Sequence, residues 1–322
     1  MSNKEIDIQA TLTEIPKQKD ALPPGKPRLT WRFWALMGVP YCIFLWIFAS
    51  SLYQISQYHF VLRHLPDIVA AARQGTVENV QYHLKKGADV NVKSERSATL
   101  LHESARFNKN VAVTQFFVAK GLDIHAQDEF GNTPLHQAGS VEVARFFVSQ
   151  GADIHAKNGV GDTPLHQVAH FIENVAVTEF LVAEGADVNA TNNVGDTPLR
   201  NAAMNKNVEV AKFLVSKGAD VHATGCAGDT PLHWASMFNK NIEVTKFLVS
   251  QGADVHERDI GGQTPLHSAA MYNKNVNVAK FLVSQGADTN AKNSDGKTPL
   301  DLAKEKKNTT VVEYLSGVTN GE

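Results

Sequence analysis

Thirteen histidines in a chain of 322 residues invite a metal hypothesis, because their spacing is regular. His102, His136, His166, His233 and His267 each close the tetrapeptide Thr-Pro-Leu-His or a near variant of it. His125, His155, His222 and His256 fill a second recurring slot, which Asn91, Asn189 and Asn290 also occupy. A zinc ion draws imidazole nitrogens to about 2.0–2.1 Å. Residues repeated once per packed helical unit stand roughly 8–10 Å apart, so one ion cannot gather them. Asn and His in the same slot share hydrogen-bonding capacity, which points to a structural role. No metal is expected.

Other chemistry is equally poorly provided for. There is no Gly-x-Ser-x-Gly elbow, no phosphate-binding glycine loop and no His-Glu-x-x-His. No catalytic residue, cofactor or small-molecule substrate is expected, and the chain does not read as an enzyme. A net charge of -2 and a pI near 6.7 supply no basic face for nucleic acid. Cys42 and Cys226 are the only cysteines, too few and too far apart for a disulfide framework or a zinc motif. Cys226 reads as an incidental loop residue. The glycosylation sequons at Asn189 and Asn308 are short enough to arise by chance.

The elements that could position a function begin with an anchor. Phe33 to Tyr53 carries no charged side chain, and a helix of that length spans roughly 30 Å, the thickness of a hydrocarbon core. Trp31, Trp34 and Tyr53 lie near its ends, where aromatic rings favour the interface, and Pro40 would kink it. Residues 1–32 hold six Lys/Arg against four Asp/Glu, and everything after is net -4. The positive-inside rule then keeps the N-terminus in the cytoplasm and sends the rest across. Ala49-Ser50-Ser51 resembles a signal-peptide cleavage site, so a cleaved and secreted form is the competing expectation. The expected organisation is a disordered tail at 1–32, a membrane helix at 33–53, a linker at 54–66, a repeat domain at 67–316 and a short tail at 317–322.

Self-similarity decides the fold. The Thr-Pro-Leu-His phrase begins at Thr99, Thr133, Thr163, Thr197, Thr230, Thr264 and Thr298, at spacings of 34, 30, 34, 33, 34 and 34. Gly-Ala-Asp-(Val/Ile)-(Asn/His) keeps phase with it from Gly87 to Gly286. Thr suits a helix N-cap and Pro the first helical position. Val208, Ala211, Leu214 and Val215 recur at helical spacing, and Gly218 suits a left-handed C-cap. Asn-Lys-Asn (108–110, 205–207, 239–241, 273–275) marks a turn between helices, where Asn is expected to tolerate left-handed geometry. The 30-residue unit lacks four residues between His136 and Gly151, so the stack should distort there.

GDTPLHWASMFNKNIEVTKFLVSQGADVHERD, Gly228 to Asp259, resembles the ankyrin repeat. The resemblance covers roughly Asp67 to Leu315, about seven to eight units, and implies an all-α repeat solenoid of paired helices with a β-hairpin per unit. With its N-terminal apolar run, the chain resembles membrane-anchored or exported ankyrin proteins of bacteria, with the repeats then in the periplasm. Such repeats bind proteins through hairpin tips and the inner face of the first helices. Carried over, that face includes Glu103, Arg106, Phe107, Gln167, His170, Phe171, Asn201, Met204, Trp234, Met237, Phe238, Ser268, Met271 and Tyr272. Phe107, Phe171, Phe238 and Tyr272 could instead pack beneath the adjoining turn. Trp234 is expected to be a binding anchor on this exposed face, so that Trp234→Ala with Met237→Ala weakens partner capture and leaves the melting temperature nearly unchanged. Val160, Val194 and Ile260 are expected at equivalent tips as an apolar edge.

Overall fold

The structure, a computed structural model, describes residues 67–319. The expected tail, membrane helix and linker at 1–66 lie outside the described residues. Among those described, no helix is long and apolar enough to cross a membrane.

Eight helix pairs follow one another among the described residues. They are α1 (Asp67–Gln74) with α2 (Val77–Lys85), α3 (Leu100–Phe107) with α4 (Val111–Ala119), and a 3₁₀ turn (Pro134–Gln137) with α5 (Val141–Ser149). Next come α6 (Pro164–Phe171) with α7 (Val175–Ala183), α8 (Pro198–Ala202) with α9 (Val208–Ser216), and α10 (Pro231–Phe238) with α11 (Ile242–Ser250). The last pairs are α12 (Pro265–Tyr272) with α13 (Val276–Ser284), and α14 (Pro299–Glu305) with α15 (Thr309–Thr319). The final helix thus runs past the boundary expected at 316.

Each pair is too small to bury its own apolar face, so it packs on its neighbours. Leu135, Leu165, Leu199, Leu232 and Leu266 of the repeated phrase are fully buried, each contributing about 2 kcal/mol. Ala105, Ala138, Ala169, Ala202, Ala235 and Ala269, also buried, let adjacent first helices approach closely. The second helices bury pairs one turn apart, such as Val210 with Leu214 and Val244 with Leu248. Gly218 ends α9 at φ 88°, where a side chain would be strained.

The expected β-hairpins are corrected to tight turns. Among the described residues the only ladder contact is one isolated bridge, Lys93 with Thr99. The reversals are closed by two backbone bonds, as from Asp128 N–H to Asn132 O and from Gly131 N–H to Asp128 O, both at 3.0 Å, and the side-chain oxygen of Asp128 takes two further amides. Arms this short leave no room for a ladder.

The Asn-Lys-Asn turns form for a different reason from the expected one. Asn108, Asn239 and Asn273 have φ of -89°, -81° and -86°, so none is left-handed. Their side chains instead reach back to the preceding unit. The Asn239 amide donates to the carbonyls of Ala203 and Asn205, both at 2.8 Å, and its oxygen accepts the Asn241 amide. Asn108, Asn205, Asn273 and Asn308 likewise donate twice to the unit before them. The second Asn of each turn caps the next helix, as Asn241 does by accepting from Glu243 N–H.

The 30-residue unit breaks this ladder. Its first helix is cut to the 3₁₀ turn, after which Ser140 caps α5. Gly139 presses against the end of α3: its N–H donates to Ala105 O at 2.9 Å, and a Cβ there would lie 2.6 Å from the Arg106 carbonyl. The unit has no Asn rung of its own, and Ile172 fills the corresponding position of the next. A rung takes one carbonyl six residues after the phrase threonine and a second two or three residues later, as Asn205 takes those of Ala169 and Ile172; in the short unit the second falls within the missing stretch.

Candidate binding surface

The five histidines of the repeated phrase are structural hydrogen-bonding groups. In five units the backbone N–H of Thr donates to Nδ1 of the His three residues on, at 3.1–3.2 Å, and the Thr hydroxyl lies 2.9 Å from the same nitrogen. An Nδ1 that accepts leaves the proton on Nε2. That N–H donates to a carbonyl of the next unit: His102 to Asn132, His136 to Asp162, His166 to Asp196, His233 to Gln263 and His267 to Lys297, at 2.9–3.2 Å. Each ring thus ties one unit's helix start to the next unit's turn. Burial pushes all five pKa values down, His136 to about 4, and so holds the rings neutral.

One unit departs from this scheme. Arg200 stands in the His slot and forms ion pairs with Asp196 and with Asp229 of the next unit. Its guanidinium carbon lies 4.7 Å from the centroid of the Trp234 ring, and the indole N–H donates to Asp229. The position that carries Asn or Asp in neighbouring turns (Asn158, Asn192, Asp259, Asn293) is Gly225 here. A Cβ on it would lie 2.3 Å from Nη1 of Arg200. Sequence reasoning missed this cluster. Its signal was the simultaneous loss, at one junction, of His from one slot and Asn from the other.

The family model described as ankyrin repeats (3 copies) matches residues 68–158, 139–225, 165–259 and 232–321. The chain belongs to the ankyrin-repeat family. No curated protein matches it. Ankyrin repeats are a protein–protein interaction scaffold, generally without enzymatic activity.

The tips of the ankyrin turns form one ridge. The amide of each tip donates to a carbonyl of the tip before it: Glu129 to Arg96, Gly159 to Phe130, Asn193 to Val160, Cys226 to Val194, Ile260 to Ala227 and Ser294 to Gly261, at 2.7–3.0 Å. Ile260 is 76 % exposed, Val160 47 % and Phe130 41 %, while Val194 is half-buried. Arg96 lies over the Phe130 ring at 5.3 Å. Val160 and Ile260 are thus exposed on the ridge but not at equivalent positions: the Ile260 amide donates across the ridge, whereas Val160 and Val194 supply the accepting carbonyl.

The inner row of first-helix residues is less open than expected. Trp234 is corrected from exposed anchor to buried side chain, 4 % exposed, drawn inward by Asp229 and Arg200. Glu103, Asn201 and Ser268 are also buried; Glu103 pairs with Arg73 at 2.6 Å. Phe238 is half-buried, its centroid 5.3 Å from the Trp234 ring and 6.4 Å from Tyr272. Phe171 stacks on His170 at 3.9 Å, and the Arg106 guanidinium lies over Phe107 at 5.0 Å. Burial pushes the His170 pKa down to about 3. Met204, Met237, Met271 and Tyr272 are half-buried along the same row.

Both sequons are engaged in the stack. The Asn189 amide donates to Gly218 O at 3.0 Å, and that of Asn308 to Ala270 and Asn273 carbonyls. A glycan on Asn308 would replace one of the two amide hydrogens it donates.

Proposed function

We propose that this chain is a membrane-tethered ankyrin scaffold that holds a protein partner along the ridge of turn tips. The supporting observation is that Ile260 and Val160 are exposed while the ridge backbone beneath them is already hydrogen-bonded from unit to unit. A stiff rail with apolar side chains facing water suits recognition, because little ordering remains to be done on binding. The inner row of Arg106, Phe171, Met204, Met237, Phe238, Met271 and Tyr272 extends the surface, with methionines that adapt to a partner's shape. The tether rests on the charge-free run from Phe33 to Tyr53, and the basic residues before it favour a cytoplasmic N-terminus with the repeats on the far side.

The test is partner capture from detergent extract by wild type and by a Val160→Ser, Ile260→Ser double variant. The reading requires one specific protein to be lost from the variant while melting is unchanged. Equal capture by both removes the ridge from the account. Mass spectrometry of the mature N-terminus tests the tether, since removal of the first 51 residues would abolish it.

A further inference from the structure

Seven exposed aspartates, Asp89, Asp123, Asp153, Asp187, Asp220, Asp254 and Asp288, follow the second helices, one per unit. Their placement has a local explanation, because each side chain accepts the backbone N–H two residues on at 2.8–2.9 Å. A second charged row lies at the other end of the helices, on the turns that join first to second. It consists of Lys206, Lys240 and Lys274, continued by Lys306 and Lys307, all exposed, with Lys109 on the equivalent turn three units before Lys206. This row has no such explanation. Among the described residues, Lys240 and Lys274 make no side-chain hydrogen bond or ion pair, and Lys206 meets only Glu173, at 3.9 Å. Lys306 lies 5.8 Å from the Tyr272 centroid.

The backbone holds these lysines in register. The Asn241 side chain donates to the Lys206 carbonyl and that of Asn275 to the Lys240 carbonyl, both at 2.9 Å. Beside them lie Met204, Met237, Phe238, Met271 and Tyr272, half-buried. A rim of one sign, fixed in spacing and bordered by soft apolar side chains, complements a partner of opposite sign that also carries apolar groups.

We propose that this rim binds an acidic, partly apolar polypeptide segment. The proposal rests on the scaffold function above and names the chemistry of the partner. Units stand about 8–10 Å apart. Carboxylates matching Lys206, Lys240 and Lys274 would therefore recur about every third residue in an extended segment, or every sixth to seventh in a helix. Glu173 occupies the lysine position one unit earlier and limits the anionic stretch at that end.

The experiment selects binders from a random peptide library of about sixteen residues, long enough to span three units. The target is the full chain in neutral detergent. Enriched peptides should be net negative with interleaved apolar residues. A Lys240→Glu, Lys274→Glu variant should weaken them about tenfold or more, with Lys240→Gln, Lys274→Gln intermediate and melting unchanged. Enriched peptides without acidic bias, or with unchanged affinity for the charge-reversed variant, would overturn the proposal. So would phosphatidylserine vesicles that bind through Lys240 and Lys274 when no acidic peptide is enriched. Peptides lost on Val160→Ser, Ile260→Ser but indifferent to the lysines would sink the rim and leave the scaffold function standing. If no peptide is enriched on any form, both fall.

Discussion

The guanidinium of Arg200 occupies the space that a side chain on residue 225 would need. A Cβ added to Gly225 would lie 2.3 Å from Nη1 and 2.7 Å from Cζ of Arg200. Where other units use His and then Asn or Asp, this junction uses Arg and Gly, and the two changes depend on each other. Gly225→Asn alone should lower stability by about 1–3 kcal/mol through overpacking. Arg200→His with Gly225→Asn, which restores the pattern of the neighbouring units, should recover most of it. Urea unfolding of the two single variants and the double should give non-additive changes; additive losses would show that the two positions are independent.

The asparagine rungs should carry measurable stability. Asn239 is buried and makes three side-chain hydrogen bonds. Asn239→Ala strands two carbonyls and one amide, and should cost about 2–4 kcal/mol. Ile172→Asn should gain less than Asn239→Ala loses, because the shortened unit before it lacks the second of the two carbonyls a full rung binds. Thermal melts of the two variants check both outcomes.

Acid should loosen the stack in a defined window. The five phrase histidines are held below their ordinary value near 6.5, so the unfolded chain binds more protons than the folded one in a range that begins at about pH 6.5 and, for His136, extends to about 4. Their contribution is complete above pH 6.5 and falls as pH drops. For His136, pushed down to about 4, the full loss is about 3 kcal/mol. Urea midpoints measured across this range should fall steadily, and a His136→Gln variant should show a shallower fall. A flat profile for the wild type would mean the rings are not tied as described.

Trp234→Ala should destabilise by about 3–5 kcal/mol, because the indole is buried between Arg200 and Phe238 and bonded to Asp229. A near-normal melting temperature would restore the exposed anchor expected from sequence.

Most of the fold was legible because its signals are local and repeated. Thr133-Pro134 reads as a helix start and Gly218 as a stop without reference to any other unit, and the phase between the phrases fixes the stacking. The five phrase histidines could be assigned to hydrogen bonding from sequence, but His125, His155, His222 and His256 of the second slot are exposed and only their backbone amides are bonded. What was not legible depends on pairs far apart in sequence. The burial of Trp234 follows from Arg200, and the asparagine turns follow from carbonyls roughly one repeat earlier, as Asn239 shows with Ala203. A family-wide rule about exposed inner faces cannot anticipate one arginine that pulls an indole inward. The tips fared better: Val160 and Ile260 are exposed because each turn's short arms are closed by backbone and Asx bonds, leaving its apex outside.

The most direct test of the ridge as a binding surface is site-specific photocrosslinking in cells. A benzoylphenylalanine would replace Ile260 or Val160 on the ridge, with Lys246 on α11 as the control, where it pairs with Glu243. The ridge positions should yield an adduct to the same protein, and the control should yield none. No protein adduct from the ridge, or the same adducts from position 246, would contradict the account.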